Sequence, residues 1–556
     1  MKKLILSAFL LFFLILSCKN DDATVPNNPP QNQEEEEEKE NEETVENNLI
    51  QLDGRHLVDA DKNPIYLQGV AFNNFIWNNA PVPEEHHTEI DFQRVNEMGM
   101  NTIRFYMNYS FFEDDSNPYT YKQSGWDWID QNISWAKKHG IYLILNMHAP
   151  QGGYQSQGEG DALWDDVENQ NRLSALWVEI AERYKDEVQI AGFGPVNEPV
   201  PSQSMQQWSS LAQRLINDIR TVNQNHLIFI EQAIYVQGNY TKDENFNFPD
   251  VSGENIIYEF HGYEPYLYSH QLLEFAELGD GGKYPDEDII EVDNAEWYTA
   301  TFDNPSLPEG NTDWTFFEGI KYVVNDTLIK LAAPSLVAAE VNGTVYFDDI
   351  VIKEFDADGN FVRNINQLNL NSLEGWSFWS QNNTGNNGLS TTEGHVDNSS
   401  LFISGVTSDS NMSNFKIQFQ VNQGFSYQIS GWMKGENVAN ANGGKIRLDF
   451  YKTNGQILLR NKAFLDDFLG KISAWAESKN SVLYMGEFGA GTPCFQNDKG
   501  GLIWVSDMYD LLKKYNIHFT YHAYHEDAFG LYLGGGLPDP NNVNQPLIDW
   551  FTNNLN

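Results

Sequence analysis

A chain of 556 residues with 79 acidic and 34 basic side chains carries a formal net charge of −45. Charge of that sign and size excludes nucleic acid and anionic lipid surfaces as partners, because both would be repelled. Cys18 and Cys494 are the only cysteines, which leaves no disulfide framework and no cysteine-built metal site.

The first element is a processing signal over residues 1–18. Lys2 and Lys3 precede an apolar run from Leu4 to Leu16, and Leu16-Ser17-Cys18 follows. The run is short for a membrane span. A cysteine at the cleavage point resembles a lipoprotein signal, in which Cys18 becomes the lipidated first residue. Lys19-Asn20-Asp21-Asp22 resembles the acidic export tag of surface lipoproteins. The expected location is therefore the outer membrane, exposed at the cell surface, with the lipid on Cys18 as the one membrane attachment. Residues 19–48 are rich in Asn, Pro, Gln and Glu, with Glu34 to Glu38 unbroken. They bury too little apolar surface to repay chain entropy and are expected to be a disordered acidic tether.

Residues 49–293 and 456–556 alternate apolar runs with helical stripes. The runs are Ile65–Gly69, Thr102–Tyr106, Tyr142–Met147, Ala191–Val196, Leu227–Glu231, Ile256–Phe260, Val482–Gly486 and Phe519–Tyr521. Leu173, Leu176, Trp177, Ile180 and Ala181 step at helical spacing, as do Trp208, Leu211, Ala212, Leu215 and Ile219. Eight strands separated by helices predict an α/β chain folded as a (β/α)8 barrel. Between the sixth and seventh runs, residues 294–455 lose the helical period and gain Asn, Ser, Thr and Gly. Short alternating stretches such as Val345–Ile352 and Lys445–Tyr451 predict an all-β sandwich spliced into a barrel loop.

Reactive groups of such barrels gather where the strands end. Arg104 ends the second strand and His148 the third. Asn197-Glu198 follow the fourth, and His261 and Tyr263 the sixth. Glu487 ends the seventh, and His522 follows the eighth. Singly each has an ordinary reading: a turn for Asn197-Glu198-Pro199, a core histidine for His148, a structural ion pair for Arg104. Buried together they must satisfy one another or a ligand.

This constellation resembles glycoside hydrolase family 5, through Asn197-Glu198-Pro199, Gly486-Glu487-Phe488-Gly489, Arg104, His148 and His261. The resemblance covers about residues 50–290 and 456–556. It implies Glu198 as general acid/base and Glu487 as nucleophile of a retaining reaction. It further implies Asn197 on a sugar 2-hydroxyl, Arg104 and Tyr263 orienting Glu487, and His148 and His261 lining the subsite of the reacting sugar. Many members carry a tryptophan platform after the eighth strand; here His522 takes that place. Trp77 and Trp164 are candidate stacking platforms, with ordinary packing as the alternative. An endo-acting β-glucanase is expected, with a β-mannanase as its nearest competitor and a non-catalytic glycan-binding lipoprotein as the rival outside the enzymes. The expected partner is a β-linked polysaccharide or oligosaccharide, the expected state a monomer. No cofactor is expected, and no metal: His86-His87 lack ligand spacing, and Asp356-Ala357-Asp358-Gly359-Asn360 reads as a polar turn. The sandwich resembles jelly-roll carbohydrate-binding modules, most closely at Phe347–Ile352, with Trp297, Trp314, Trp376, Trp379 and Trp432 available for a binding face.

Overall fold

The computed structural model describes residues 48–78, 86–156, 158–276, 278–298, 301–381 and 384–555. The signal segment, Cys18 and all but the last residue of the expected tether lie outside them.

Eight parallel strands close into a barrel. They are β1 (Gln68–Phe72), β2 (Thr102–Asn108), β3 (Tyr142–Ala149) and β4 (Ile190–Gly194). β5 (Leu227–Glu231), β6 (Ile256–His261), β7 (Val482–Phe488) and β8 (His518–Tyr521) complete it, with β8 returning to pair with β1. The strands read as near-continuous apolar runs because helices cover their outer faces while side chains fill the interior. Helix Val167–Arg183 buries Leu173, Leu176, Trp177, Ile180 and Ala181, and helix Met205–Arg220 buries Trp208, Leu211, Ala212, Leu215 and Ile219. Each such large side chain contributes about 1.5–3 kcal/mol on burial. The Asp166 side chain caps the first of these helices by accepting the Glu168 N–H.

The first barrel strand departs from the sequence expectation. Pro64–Ile65 pairs with His56–Val58 in a small antiparallel sheet that also holds Gln51–Asp53, and the barrel strand begins only at Gln68. The apolar run spans two elements because this small sheet closes the floor of the barrel. Ile50, Leu57 and Leu67 pack there on Ile144, Leu227, Ile257 and Val482.

In chain order between β6 and β7, strands from Glu296 to Lys452 form two antiparallel sheets around a core that includes Leu336, Phe347, Ile352, Met433 and Phe450. Below them, Asp286–Val292 pairs antiparallel with Ile457–Arg460, so the chain leaves and re-enters on neighbouring strands. Asp356 Oδ1 accepts the N–H groups of Asp358 and Asn360, making a tight polar turn between strands Thr344–Phe355 and Phe361–Leu368. Of the five tryptophans singled out here, Trp376 is core, Trp432 is covered by a stacked His395 ring at 3.6 Å, and Trp297 and Trp379 are about half exposed on strands at opposite edges of one sheet.

Candidate active site

The C-terminal ends of the barrel strands surround a cleft of about 1590 Å³ lined by His148, Glu198, Glu231, His261, Tyr263, Glu487 and His522 among others. That is larger than a typical small-molecule pocket and suits an extended ligand.

Arg104 organises the floor. It sits within β2 rather than at its end, because the strand continues to Asn108. Its side chain is fully buried and meets four partners. Nη1 donates to Glu487 Oε1 at 2.7 Å, and Nη2 donates to Asn197 Oδ1 at 2.8 Å and to Glu231 Oε2 at 3.2 Å. Nε lies 2.7 Å from Glu259 Oε1. Burial alone would favour loss of its proton, but Glu259, Tyr106 and Glu487 hold the guanidinium charged. A buried guanidinium is tolerated only with such a complement of acceptors.

Glu487, within β7, is the most heavily held carboxylate. Besides Arg104 it accepts the Tyr106 hydroxyl at Oε1 and the Tyr263 hydroxyl at Oε2, each at 2.6 Å. Burial pushes its pKa up, yet His261, His522 and Arg104 together bring it well below the usual carboxylate range. Glu487 is therefore ionised and fixed in orientation. The residue before it must be glycine. A Cβ on Gly486 would lie 1.9 Å from Glu259 Oε1 and 3.0 Å from Arg104 Nε.

Glu198 follows β4 with φ of 45°, a left-handed backbone that a glutamate adopts only when held there. Its N–H donates to Glu231 Oε1 at 2.8 Å, and its Oε1 lies 2.8 Å from His261 Nδ1. His261 Nε2 stands 3.4 Å from Glu231 Oε1. Burial opposes protonation of His261, but Glu231, Glu487 and the hydrogen bond to Glu198 raise its pKa well above 6.5. Glu231 itself is pushed well above the usual range by burial. The ligand atoms of Glu198, His261 and Glu487 all lie within 4.8 Å of one another. Glu231, Glu259 and His261 form a second such group. A cation would fit that spacing, but Glu231, Glu259 and Glu487 already pair with the Arg104 guanidinium and Glu198 with His261.

His148 stacks on Tyr106, ring centres 3.9 Å apart, and burial keeps it neutral. His522 donates from Nδ1 to the Tyr106 oxygen at 3.0 Å, while its Nε2 lies 3.2 Å from Glu526 Oε1. Burial opposes a charge on His522, and Glu526 and Glu487 raise its pKa nonetheless. Trp77 is 45% exposed at the rim of the cleft.

Two expectations need correction. Trp164 is no platform: it is 6% exposed, donates Nε1 to Gln155 Oε1 at 2.7 Å, packs edge-on against Trp208 and does not line the cleft. Asn197 is fully buried, with Oδ1 taken by Arg104 and Nδ2 3.3 Å from His148 Nε2. It is not among the residues that line the cleft. Sequence reasoning missed Tyr106, Glu231 and Glu259. Tyr106 is two residues from Arg104 and Glu259 two from His261, so the two-residue period of a strand aims each pair at the same interior.

Residues 58–305 match the family model described as cellulase (glycosyl hydrolase family 5). Over these residues the chain is similar to the cellulases of glycosyl hydrolase family 5. Endoglucanase C of Acetivibrio thermocellus is 30% identical over 190 residues, covering 34% of this chain and 54% of that protein. A beta-xylosidase of Phanerodontia chrysosporium is 29% identical over 269 residues, covering 40% of this chain and 55% of that one. The chain thus spans about half the length of the curated relatives it matches. A crystal structure of Thermotoga maritima Cel5A in complex with mannotriose is 15% identical, with a TM-score of 0.48, covering 88% of this chain and 97% of that one. The family 5 match takes in β1 to β6, and with them Arg104, His148, Glu198 and His261.

Proposed function

We propose that the protein is a retaining, endo-acting glycosidase that cleaves a β-linked glucan, β-1,4 before other linkages, by double displacement. The observation that carries this reading is the approach of two carboxyl groups from different strand ends: oxygens of Glu198 and Glu487 lie within 4.8 Å. Retaining glycosidases hold their carboxyls about 5–5.5 Å apart, whereas inverting ones leave about 6.5–9.5 Å for a water.

In the first step Glu487, ionised and aimed by Arg104, Tyr106 and Tyr263, attacks the anomeric carbon. Glu198 gives a proton to the departing oxygen, and the leaving sugar departs with that proton. Glu198 is left as a carboxylate, held in place by its 2.8 Å contact with His261 Nδ1. In the second step Glu198 takes a proton from water, which attacks the same carbon and frees Glu487. Each attack comes from the opposite face, so two inversions give net retention.

His522, smaller and more polar than an aromatic platform, leaves one further reading, a β-mannanase, because the sugar preference of the reacting subsite is not set there by a stacked ring. The sandwich, spanning residues 294–455, we read as an inserted carbohydrate-binding module, with exposed Trp297 and Trp379 as its sugar-facing candidates. It would raise the substrate concentration at the cleft by making the second contact intramolecular. The signal and tether sequences are the support for reading the protein as a surface lipoprotein anchored at Cys18.

Product chromatography of the protein against β-glucans, xyloglucan and mannans tests the reading. Shortening of a β-1,4-glucan into mixed oligosaccharides is the expected result. Absence of hydrolysis across the panel would return the chain to the non-catalytic glycan-binding class.

A further inference from the structure

The cleft extends past Glu198 into a region that none of the groups above uses. Four residues from the segments after β5 and β6 line it: Gln232, Lys242, Glu264 and Tyr266. Lys242 Nζ donates to Gln232 Oε1 at 3.0 Å. Gln232 is 6% exposed, and its Nε2 has no hydrogen-bond partner. Glu264 also faces the cleft, and no ion pair within 4.0 Å joins it to Lys242 among the described residues. An ammonium and a carboxyl group on one cleft wall, each within electrostatic reach of the other, can both bind a sugar hydroxyl, which accepts from the first and donates to the second. Beside them the Tyr266 ring stacks on His270, centres 4.1 Å apart, and is itself 49% exposed. One ring face is thus held by the protein and the other is open.

The chemistry of the site fixes which sugar this region would meet. The ring bearing the anomeric carbon must lie against Glu487 and its neighbours Tyr106, His148 and His522, which come from β2, β3 and the segment after β8. The glycosidic oxygen must lie against Glu198. The sugar beyond that oxygen therefore extends over the segments after β5 and β6.

We propose that Gln232, Lys242, Glu264 and Tyr266 form the subsite for the departing sugar, and that the root of the inserted segment braces it. The subsite rests on the glycosidase reading given above. The brace is direct: the Lys242 N–H donates to Asn294 Oδ1 at 3.2 Å. Asp293 stands next to Asn294, where the paired strands Asp286–Val292 and Ile457–Arg460 leave the barrel, and its charge bears on both Lys242 and Glu264. The ligand class is a neutral sugar with vicinal hydroxyls: its ring face stacks on Tyr266 and its hydroxyls bridge Lys242 and Glu264.

The test compares two substrates on the full chain. Cellotetraose needs the departing-sugar site; β-cellobiosyl fluoride loses only fluoride and does not occupy it. Lys242→Met should lower kcat/KM for cellotetraose about tenfold, the usual loss when a charged hydrogen bond is removed, while the fluoride rate stays within twofold. Tyr266→Ala, at an exposed position that folding tolerates, should raise KM for cellotetraose alone, and Lys242→Arg should restore part of the loss. Unchanged cellotetraose kinetics in both variants would overturn the subsite, as would an equal fall on both substrates. A wild-type protein inactive on both would instead overturn the glycosidase reading beneath it.

Discussion

The Glu231 carboxylate accepts the backbone N–H of Glu198 at 2.8 Å, so the residue that ends β5 fixes the backbone of the residue that follows β4. Glu198 holds φ of 45° there, and the same carboxylate touches Arg104 and His261. Glu231 is thus a positioning residue for the acid/base. Glu231→Ala should lower kcat by about 10–100-fold, since a buried donor left without its acceptor costs about 1–3 kcal/mol. Glu231→Gln keeps an acceptor for the N–H but removes charge next to His261, so it should recover part of kcat and shift the alkaline limb of the pH–rate profile. A purely structural role would move neither limb.

Gly486→Ala should destabilise the barrel without an exposed surface being touched. The new methyl would meet the Glu259 carboxylate and Arg104 rather than a flexible neighbour. Overpacking of this kind costs about 1–3 kcal/mol. Thermal denaturation should show a lowered midpoint, and residual activity should fall because Arg104 also holds Glu487.

His261 ties stability to pH on the alkaline side. Its folded pKa is raised well above the ordinary 6.5. Below 6.5 both folded and unfolded forms carry the proton, and the stabilisation is fully present. It is lost as pH rises through the folded value. Glu487 acts on the acid side with the opposite sign: its depressed folded pKa stabilises fully above about 4.5 and the gain disappears only as pH falls further, through the folded value. Denaturation midpoints recorded from pH 6 to pH 9 should fall less steeply for His261→Gln than for the wild type. Parallel slopes would remove His261 from this account.

Trp77 and Trp164 should separate cleanly. Trp77→Ala removes an exposed ring at the cleft rim and should raise KM on long substrates several-fold with little change in kcat, as expected for lost stacking. Trp164→Ala removes a buried ring and its hydrogen bond to Gln155, so it should cost about 3–5 kcal/mol of stability. Chemical denaturation and steady-state kinetics on both variants distinguish these outcomes.

The barrel was legible in the sequence because parallel strands buried on both faces appear as apolar runs, and the two glutamates stand out at the ends of such runs. The first strand was misread by three residues at each end, since Ile65 is apolar for a different reason: it belongs to the sheet that plugs the barrel floor. Arg104 looked like a strand terminus because a charge inside a fully buried strand is improbable until its acceptors are known. Those acceptors, Glu231 and Glu259, come from β5 and β6, and no local pattern joins them to β2. Trp164 and Asn197 show the converse: their residue types suit a sugar, but burial removes them from the cleft surface.

The central claim is that Glu487 forms a covalent bond to the sugar while Glu198 serves as acid/base. Incubation with a 2-deoxy-2-fluoro β-cellobioside bearing a good leaving group, followed by mass spectrometry of the protein and its peptides, tests this most directly. The account predicts one fluorocellobiosyl adduct, carried by the peptide containing Glu487 and absent in Glu487→Gln. Turnover of natural substrate with no adduct, or an adduct on any other carboxylate, would contradict it.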